Sequence, residues 1–279
     1  MSQMQKKYID LHIHTTASDG LLTPEEVVEI AAKEGLSAIS ITDHDSIDGY
    51  LSAQEKAEEL GIELIPGVEL SLTHKGEDFH LLGYLIDCEN PEFLKKISSF
   101  QEERRIRGEK MVEKLNDLGI DLSMETVKSI AGKGSVGRPH LADALVKEEF
   151  VHTYEEAFAR YLGYHAQAYV PKKYLTPKEG IELIHLVRGV AVLAHPGNTR
   201  TSQAIYDFLP LGLDGVEAYH CKHDRDTTRN LTNTAKKLGL IYTGGSDCHG
   251  RKKDKILIGT VKVPYSCLDM LRKVKEQNY

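Results

Sequence analysis

Polar and apolar side chains alternate along residues 8–14: Ile9, Leu11 and Ile13 fall on one side of an extended chain, Asp10, His12 and His14 on the other. The pattern predicts a strand. A helix start follows, with Thr23 as N-cap, Pro24 at the first helical position and Glu26 three residues after the cap; Gly35 marks its end. Residues 37–43 read as a second strand, 48–60 as a helix stopped by Gly61, and 63–72 and 79–87 as further strands. Strands alternating with helices predict an α/β fold on a largely parallel sheet, either a barrel or a doubly wound sheet. The rhythm stops at Pro91. From there to residue 163, Leu94, Ile97, Met111, Leu115 and Leu118 recur at helical spacing and no strand pattern intervenes. The expectation is an α-helical insertion, residues 91–163, in a body made of residues 1–90 and 164–279. The alternation then resumes, with a helix over 177–187, strands over 190–194, 215–220, 240–244 and 256–263, and a final helix.

Composition narrows the class. Hydrophobic residues are 41% and charged residues 28% of the 279, enough for a sizeable core and unlike a disordered chain. No apolar run approaches the roughly 20 residues of a membrane span, and residues 1–7 lack the apolar centre of a signal peptide. Cys88, Cys221, Cys248 and Cys267 form no CxxC pair, which argues against a disulfide framework and a cysteine zinc site. A reduced, soluble, cytoplasmic protein is expected, with no membrane partner. The net charge of −7 argues against a basic groove for long nucleic acid. It leaves room for a short anionic ligand held by metal ions. Nothing in the sequence sets the oligomeric state.

The chemistry concentrates in the histidines. Three ionisable side chains on one face of the first strand are costly to bury without a partner, and a metal ion supplies one, with imidazole ligands and Asp10 as an orienting neighbour. An isolated His-Ile-His would read equally well as a hydrogen-bonded strand end. Here the pattern repeats. Asp19 follows in a loop, His44 lies in Thr-Asp-His-Asp, Glu69 in Pro-Gly-Val-Glu, and His80 beside Phe79. His195 lies in Ala-His-Pro-Gly, and Asp247 and His249 in Gly-Ser-Asp-Cys-His-Gly. Most fall at or just past a predicted strand's C-terminal end, the face on which α/β barrels build active sites. Nine candidate ligands, His12, His14, Asp19, His44, Glu69, His80, His195, Asp247 and His249, exceed the needs of one ion and suit two or three. Mixed imidazole and carboxylate donors favour Mn²⁺, Fe²⁺ or Zn²⁺ over Ca²⁺.

The same stretches, HxHTxxSDG, TDHD, PGVE, AHPG and GSDCHG in order, resemble the signature of the PHP (polymerase and histidinol phosphatase) superfamily. In the insertion, Gly137-Arg-Pro-His140-Leu-Ala and Tyr161-Leu-Gly followed by Ala168-Tyr-Val-Pro171 resemble its TrpH (YciV) branch. Relatives read G-x-P-A-Y-V where this chain has Gly163-Tyr-His-Ala-Gln-Ala-Tyr-Val. The resemblance implies a distorted (β/α)7 TIM-like barrel with a helical lid and a trinuclear centre. His12, His14, Asp247 and Glu69 would hold one ion, bridging Glu69 with His80 and His195 a second, and Asp19, His44 and His249 a third. It also implies hydrolysis of phosphate monoesters of small nucleotides, including the 3′-phosphate of nucleoside 3′,5′-bisphosphates, and in some members removal of nucleotides from the 5′ end of short RNA.

Phosphate ester hydrolysis needs an activated water, charge neutralisation and help for the leaving group. A cation that forks onto phosphate is an arginine task. Arg138 is the expected one, with Ser135 nearby, His140 as a lesser candidate and Lys172 as a second point charge. His223 is expected to bind phosphate or protonate the leaving group. Arg104, Arg105 and Arg107 are expected on a solvated helix face with partners such as Glu103 and Glu109, though one could reach the lid cleft. His220 is expected to be structural, Asp43 and Asp45 to support the ligands, and Cys248 to point away from them. Two alternatives stay open: a histidinol-phosphate phosphatase and a metal-binding module without catalysis.

Overall fold

A computed structural model describes residues 7–132, 134, 136–171, 175–197, 199–250 and 256–279. The first part of the body runs β1 (Tyr8–Ile13), α1 (Pro24–Lys33), β2 (Ala38–Ile41), α2 (Asp48–Leu60), β3 (Glu63–His74) and β4 (Glu77–Tyr84). The helical stretch holds α3 (Pro91–Asp117), α4 (Met124–Ala131), α5 (Arg138–Lys147), α6 (Tyr154–Ala157) and a π-helical turn over Phe158–Leu162. The remainder is α7 (Pro177–Leu186), β5 (Val190–Leu193), α8 (Thr199–Phe208), β6 (Gly215–His220), α9 (Arg225–Leu238), β7 (Ile241–Gly245), β8 (Val263–Pro264) and α10 (Ser266–Asn278). Local chemistry sets the boundaries. At α1 the Thr23 hydroxyl accepts from the Glu26 amide while the Glu26 carboxylate accepts from the Thr23 amide. Thr176 and Glu179 repeat the box at α7, and Asn90 caps α3 ahead of Pro91.

All eight strands form one sheet in the order β7-β6-β5-β4-β3-β2-β1-β8. β1, β2 and β3 are parallel, as are β5, β6 and β7, but β4 runs antiparallel to both neighbours. The largely parallel sheet of the sequence reading is therefore a mixed one. The hairpin at Lys75-Gly76, both at positive φ, returns the chain directly where a crossover helix would otherwise stand, and β8 also pairs antiparallel with β1. The strand expected over 256–263 is only Val263–Pro264. The chain before it turns at Gly259, whose amide donates to Asp10 Oδ2.

The sheet curls until its ends meet. The His14 amide donates to the Cys248 carbonyl at 3.0 Å, the Asp247 amide donates to the His12 carbonyl at 2.8 Å, and Ile13 pairs with Cys248. The distorted barrel is thus nearly closed. Gly245 makes this possible, because a Cβ there would collide with the His12 backbone. Ile13, Ile39, Ile41 and Cys248 share one fully buried apolar cluster under the seam, so Cys248 points away from the histidines as expected. The helices α3, α4 and α5 pack around their own cluster, which includes Met111, Leu115, Val127, Leu141 and Leu145. Among the described residues no helix is long and apolar enough to cross a membrane.

Candidate metal centre

The strand ends converge. Glu69, 1% exposed, sits at the middle of the cluster. Its Oε2 lies 3.1 Å from His14 Nε2, 3.1 Å from His44 Nδ1 and 3.3 Å from His12 Nε2. Its Oε1 lies 3.1 Å from His80 Nδ1 and 3.3 Å from His195 Nε2. The two carboxylate oxygens thus face two sets of imidazoles. Asp247 Oδ1 approaches His12 and His14 at 3.5 and 3.3 Å, and Asp19 Oδ1 lies 3.3 Å from His249 Nε2. All nine residues proposed from the sequence therefore meet in one place.

Among the described residues, three groups have ligand atoms within 4.8 Å of one another: His12, His14 and Asp247; His44, Glu69 and His80; and His14, Asp19, His44 and His249. His14 Nδ1, His44 Nδ1 and Glu69 Oε2 are buried and, among the described residues, make no well-aligned hydrogen bond, although His44 Nδ1 and Glu69 Oε2 lie 3.1 Å apart. Such buried polar atoms normally make one, and a divalent cation fits this set of imidazoles and carboxylates.

The electrostatics agree. Burial disfavours ionised Glu69, yet the His44, His80 and His12 imidazoles hold its carboxyl well below the usual range. Burial likewise opposes ionisation of Asp19 and Asp247, and their histidine neighbours hold both well below the ordinary value. Burial pulls His14 down, but Asp247 and Glu69 outweigh it and raise the ring to about 10. His12 is raised well above the usual imidazole value against its own burial by Glu217, Glu69 and Asp247. Burial pushes His44 well down, with His14 and His80 adding repulsion. The raised His12 and His14 rings thus face the lowered carboxylates of Glu69 and Asp247.

The supporting groups differ from the sequence reading in instructive ways. Glu217, not Asp10, orients the first histidine: its Oε1 lies 2.9 Å from His12 Nδ1, and its Oε2 accepts from the His195 amide at 2.8 Å. Asp10 instead accepts the Ser246 and Gly259 amides. The pairing of β6 with β7 shifts between Glu217 and Tyr219, and this bulge brings His220 to the same side as Glu217. His220 Nδ1 accepts from the Lys222 amide and Nε2 lies 3.3 Å from Asp247 Oδ2, so His220 positions that carboxylate. Asp43 holds the loop that carries Asp19, accepting from the Thr15 amide and the Thr15 and Ser18 hydroxyls at 2.5–2.7 Å. His195, Asp247 and Asp45 all have positive φ, at 34°, 52° and 50°. That strain sits where side chains must be aimed at the centre.

The helices roof the centre with cations. Only Arg105 behaves as a surface residue, paired with Glu102 and Glu109. Arg104 is 8% exposed, with Nη2 2.7 Å and Nε 2.8 Å from Asp45 Oδ2. Arg107 donates to the Val170 carbonyl at 2.7 Å. Both line a cavity of about 130 Å³ with Arg138, Asp19, His44 and His80. Arg138 lies over the rings of Phe158, Tyr164 and Tyr169 at 5.7, 5.2 and 5.7 Å. His140 is buried, and its Nδ1 accepts from the Gly137 amide at the start of α5. His223 lines a larger cleft of about 800 Å³ with Asp19, Asp247 and His249. Its Nδ1 bonds the Ala218 carbonyl, and burial lowers its pKa. Ser135 and Lys172 lie outside the described residues.

Comparison with known proteins agrees with this geometry. The PHP domain family matches residues 10–174. A 5′-3′ exoribonuclease of Haemophilus influenzae is 37% identical over 251 residues, covering 88% of this chain and 91% of the relative. A 3′,5′-nucleoside bisphosphate phosphatase of Chromobacterium violaceum is 30% identical over 274 residues, 96% of each chain. A crystal structure from Bifidobacterium adolescentis, described as a metal-dependent phosphoesterase, superposes with a TM-score of 0.86 at 29% identity over 96% of both chains. Matched through more than half its length and aligned almost end to end with such relatives, the chain belongs to the PHP domain family.

Proposed function

We propose that this protein is a metal-dependent hydrolase of phosphate monoesters on small nucleotides, nucleoside 3′,5′-bisphosphates or monophosphates, and that it also removes nucleotides from the 5′ end of short RNA. The observation that carries the reading is Glu69, with one oxygen toward His12, His14 and His44 and the other toward His80 and His195, beneath a roof of Arg104, Arg107 and Arg138. We assign three divalent ions, Mn²⁺, Fe²⁺ or Zn²⁺. His12, His14 and Asp247 would hold one; Glu69, His80 and His195 a second; Asp19, His44 and His249 a third, with Glu69 bridging. When bound, the ions supply an activated water and neutralise phosphoryl charge.

The chain's own groups do the rest. Glu217 fixes the His12 ring, and His220 fixes Asp247. Arg138, braced by its aromatic neighbours, forks onto the non-bridging phosphoryl oxygens. Burial lowers the His223 pKa and so favours the neutral ring before substrate binds. A phosphate dianion at the centre favours the protonated ring, whose Nε2–H, opposite the Nδ1 held by Ala218, donates to a phosphoryl oxygen. Helices α3, α4 and α5 act as a substrate lid over a barrel of residues 1–90 and 164–279. We place the enzyme in the cytoplasm, in keeping with four cysteines that form no disulfide. The names of the two curated relatives concern nucleotides and RNA, which favours this reading over histidinol phosphate.

The test is phosphate or nucleotide release with Mn²⁺ from adenosine 3′,5′-bisphosphate, AMP and a 5′-phosphorylated RNA trinucleotide, with His12→Ala as control. Release from the bisphosphate that vanishes in the control supports the reading. If metal-loaded protein leaves all three intact, the reading fails.

A further inference from the structure

One exposed aromatic ring stands at the mouth of the centre without a part in it. Tyr164 follows the π-helical turn and is 48% exposed, among the most exposed large side chains of the fold. It nevertheless lines a cavity of about 160 Å³ with Arg138, His80 and His195. The cavity floor is thus part of the candidate metal centre, and its rim is this ring. The ring is held in place. The Arg138 guanidinium lies 5.2 Å from its centroid, and Tyr169 packs against it at 5.2 Å between centroids, tilted by 41°. Tyr169 is itself tied down by Arg107, 5.7 Å above its ring. A surface tyrosine normally keeps its rotamer freedom; this one is braced on two sides and still presents nearly half its area to solvent.

We infer that Tyr164 is a stacking platform for the nucleobase of the substrate, and so a specificity residue that separates nucleotides from base-free sugar phosphates. The inference rests on the phosphoesterase reading above. A phosphate gripped by Arg138 beside His80 and His195 leaves no room in about 160 Å³ for the rest of a nucleotide. On the Arg138 side of the centre the sugar and base leave across the rim, and the rim is aromatic. Stacking on an aromatic side chain contributes about 1–3 kcal/mol per base and tolerates any base, because each has a π face. A guanidinium behind the ring draws electron density from the outer face, which suits an electron-rich purine.

The experiment compares adenosine 3′,5′-bisphosphate with its tetrahydrofuran analogue, in which hydrogen replaces the base. Dissociation constants are measured by titration calorimetry and KM by phosphate release, for wild type, Tyr164→Phe, Tyr164→Leu and Tyr164→Ala. Wild type should prefer the base-bearing ligand about tenfold or more in both quantities. Tyr164→Phe should keep that ratio, while Tyr164→Leu and Tyr164→Ala should bring it close to one. A wild-type ratio near one, or a ratio retained by Tyr164→Leu, overturns the inference. Phosphate release without any base preference sinks the stacking role and leaves the phosphoesterase. A Tyr164-dependent binding preference without release from either compound does the reverse.

Discussion

The floor and the roof of the site are built by different physics. The floor is a set of strands and strand ends. His14, His44, His195 and Asp247 sit at or just past the end of a buried strand, while His12, Glu69 and His80 project from within β1, β3 and β4 between buried apolar neighbours such as Leu11, Ile13, Val68, Leu70 and Leu81. The roof is helical, and its arginines are single positions on amphipathic surfaces that also pack their own core. A strand end places a donor by backbone geometry, helped by the strained φ of His195 and Asp247. A helix places an arginine by which face it buries. The floor is therefore organised for fixed ligand positions and the roof for cations anchored by side chains and carbonyls of other segments. Variants in the two regions should fail in different ways.

The largest effect is expected from Glu69→Gln. It removes the charge shared by both sets of imidazoles, so metal content should collapse and kcat/KM should fall by about 10³-fold or more. Elemental analysis alongside kinetics checks this; full metal content in the variant would break the assignment of Glu69 as the bridge. Arg104→Met tests the joint between the regions. It strands buried Asp45 without its cation, and loss of one partner of a buried pair is worth about 3–5 kcal/mol. Urea unfolding should show this, with metal content kept below the transition; a stability loss under 1 kcal/mol, as at an exposed pair, would make the joint unimportant.

Glu217→Gln is milder. It keeps the shape and a hydrogen bond to His12 but removes the orienting charge, and outer-shell changes of this kind lower metal affinity about 10–100-fold. Metal titration against a chromogenic chelator measures it, and unchanged affinity would demote Glu217 to a structural residue.

Protons provide the finest distinction. His14, raised to about 10, and His12, also raised, carry folded-state values above their unfolded ones. Their stabilisation of the metal-free protein is complete below about pH 6.5 and is lost as pH rises through the His14 value. Asp19, Glu69 and Asp247 are displaced downward. Theirs is present above about pH 4 and is lost as pH falls through the depressed values. Metal-free protein should therefore be most stable between these limits. Metal binding near neutral pH should release about two protons, from His12 and His14. Calorimetry in buffers of different ionisation enthalpy counts them, and a count of zero would contradict the pairing of charges described for the floor.

The same contrast explains what was legible in the sequence. The floor residues stand in short local patterns, HxH, SDG, TDHD, PGVE, AHPG and SDCH, with His80 beside Phe79, and these patterns made all nine legible although Glu69 and His80 lie inside β3 and β4 rather than at their ends. Glu217 has no such neighbourhood; only pairing across the sheet sets it under His12. His220 was hidden by the bulge after Glu217, because one extra residue reverses which face a side chain takes. Arg104 and Arg107 sit in Arg-Arg-Ile-Arg, which reads as a charged surface until the buried face of α3 is known. The reversal of β4 turns on a two-residue hairpin, a signal weaker than the alternation around it.

The seam between β1 and the end of β7 has a consequence for assembly. Asp10 and Ser246 hydrogen-bond across 236 positions of chain, and His12 and His14 meet Asp247 beside that join. Contacts between such distant segments form late, after the loop-closure entropy between them has been met. The group of His44, Glu69 and His80 can gather as soon as the first strands pair, whereas the group that needs Asp247 must wait for nearly the whole chain. Loading of that last group therefore belongs to the finished barrel, and its occupancy reports that the circle has closed.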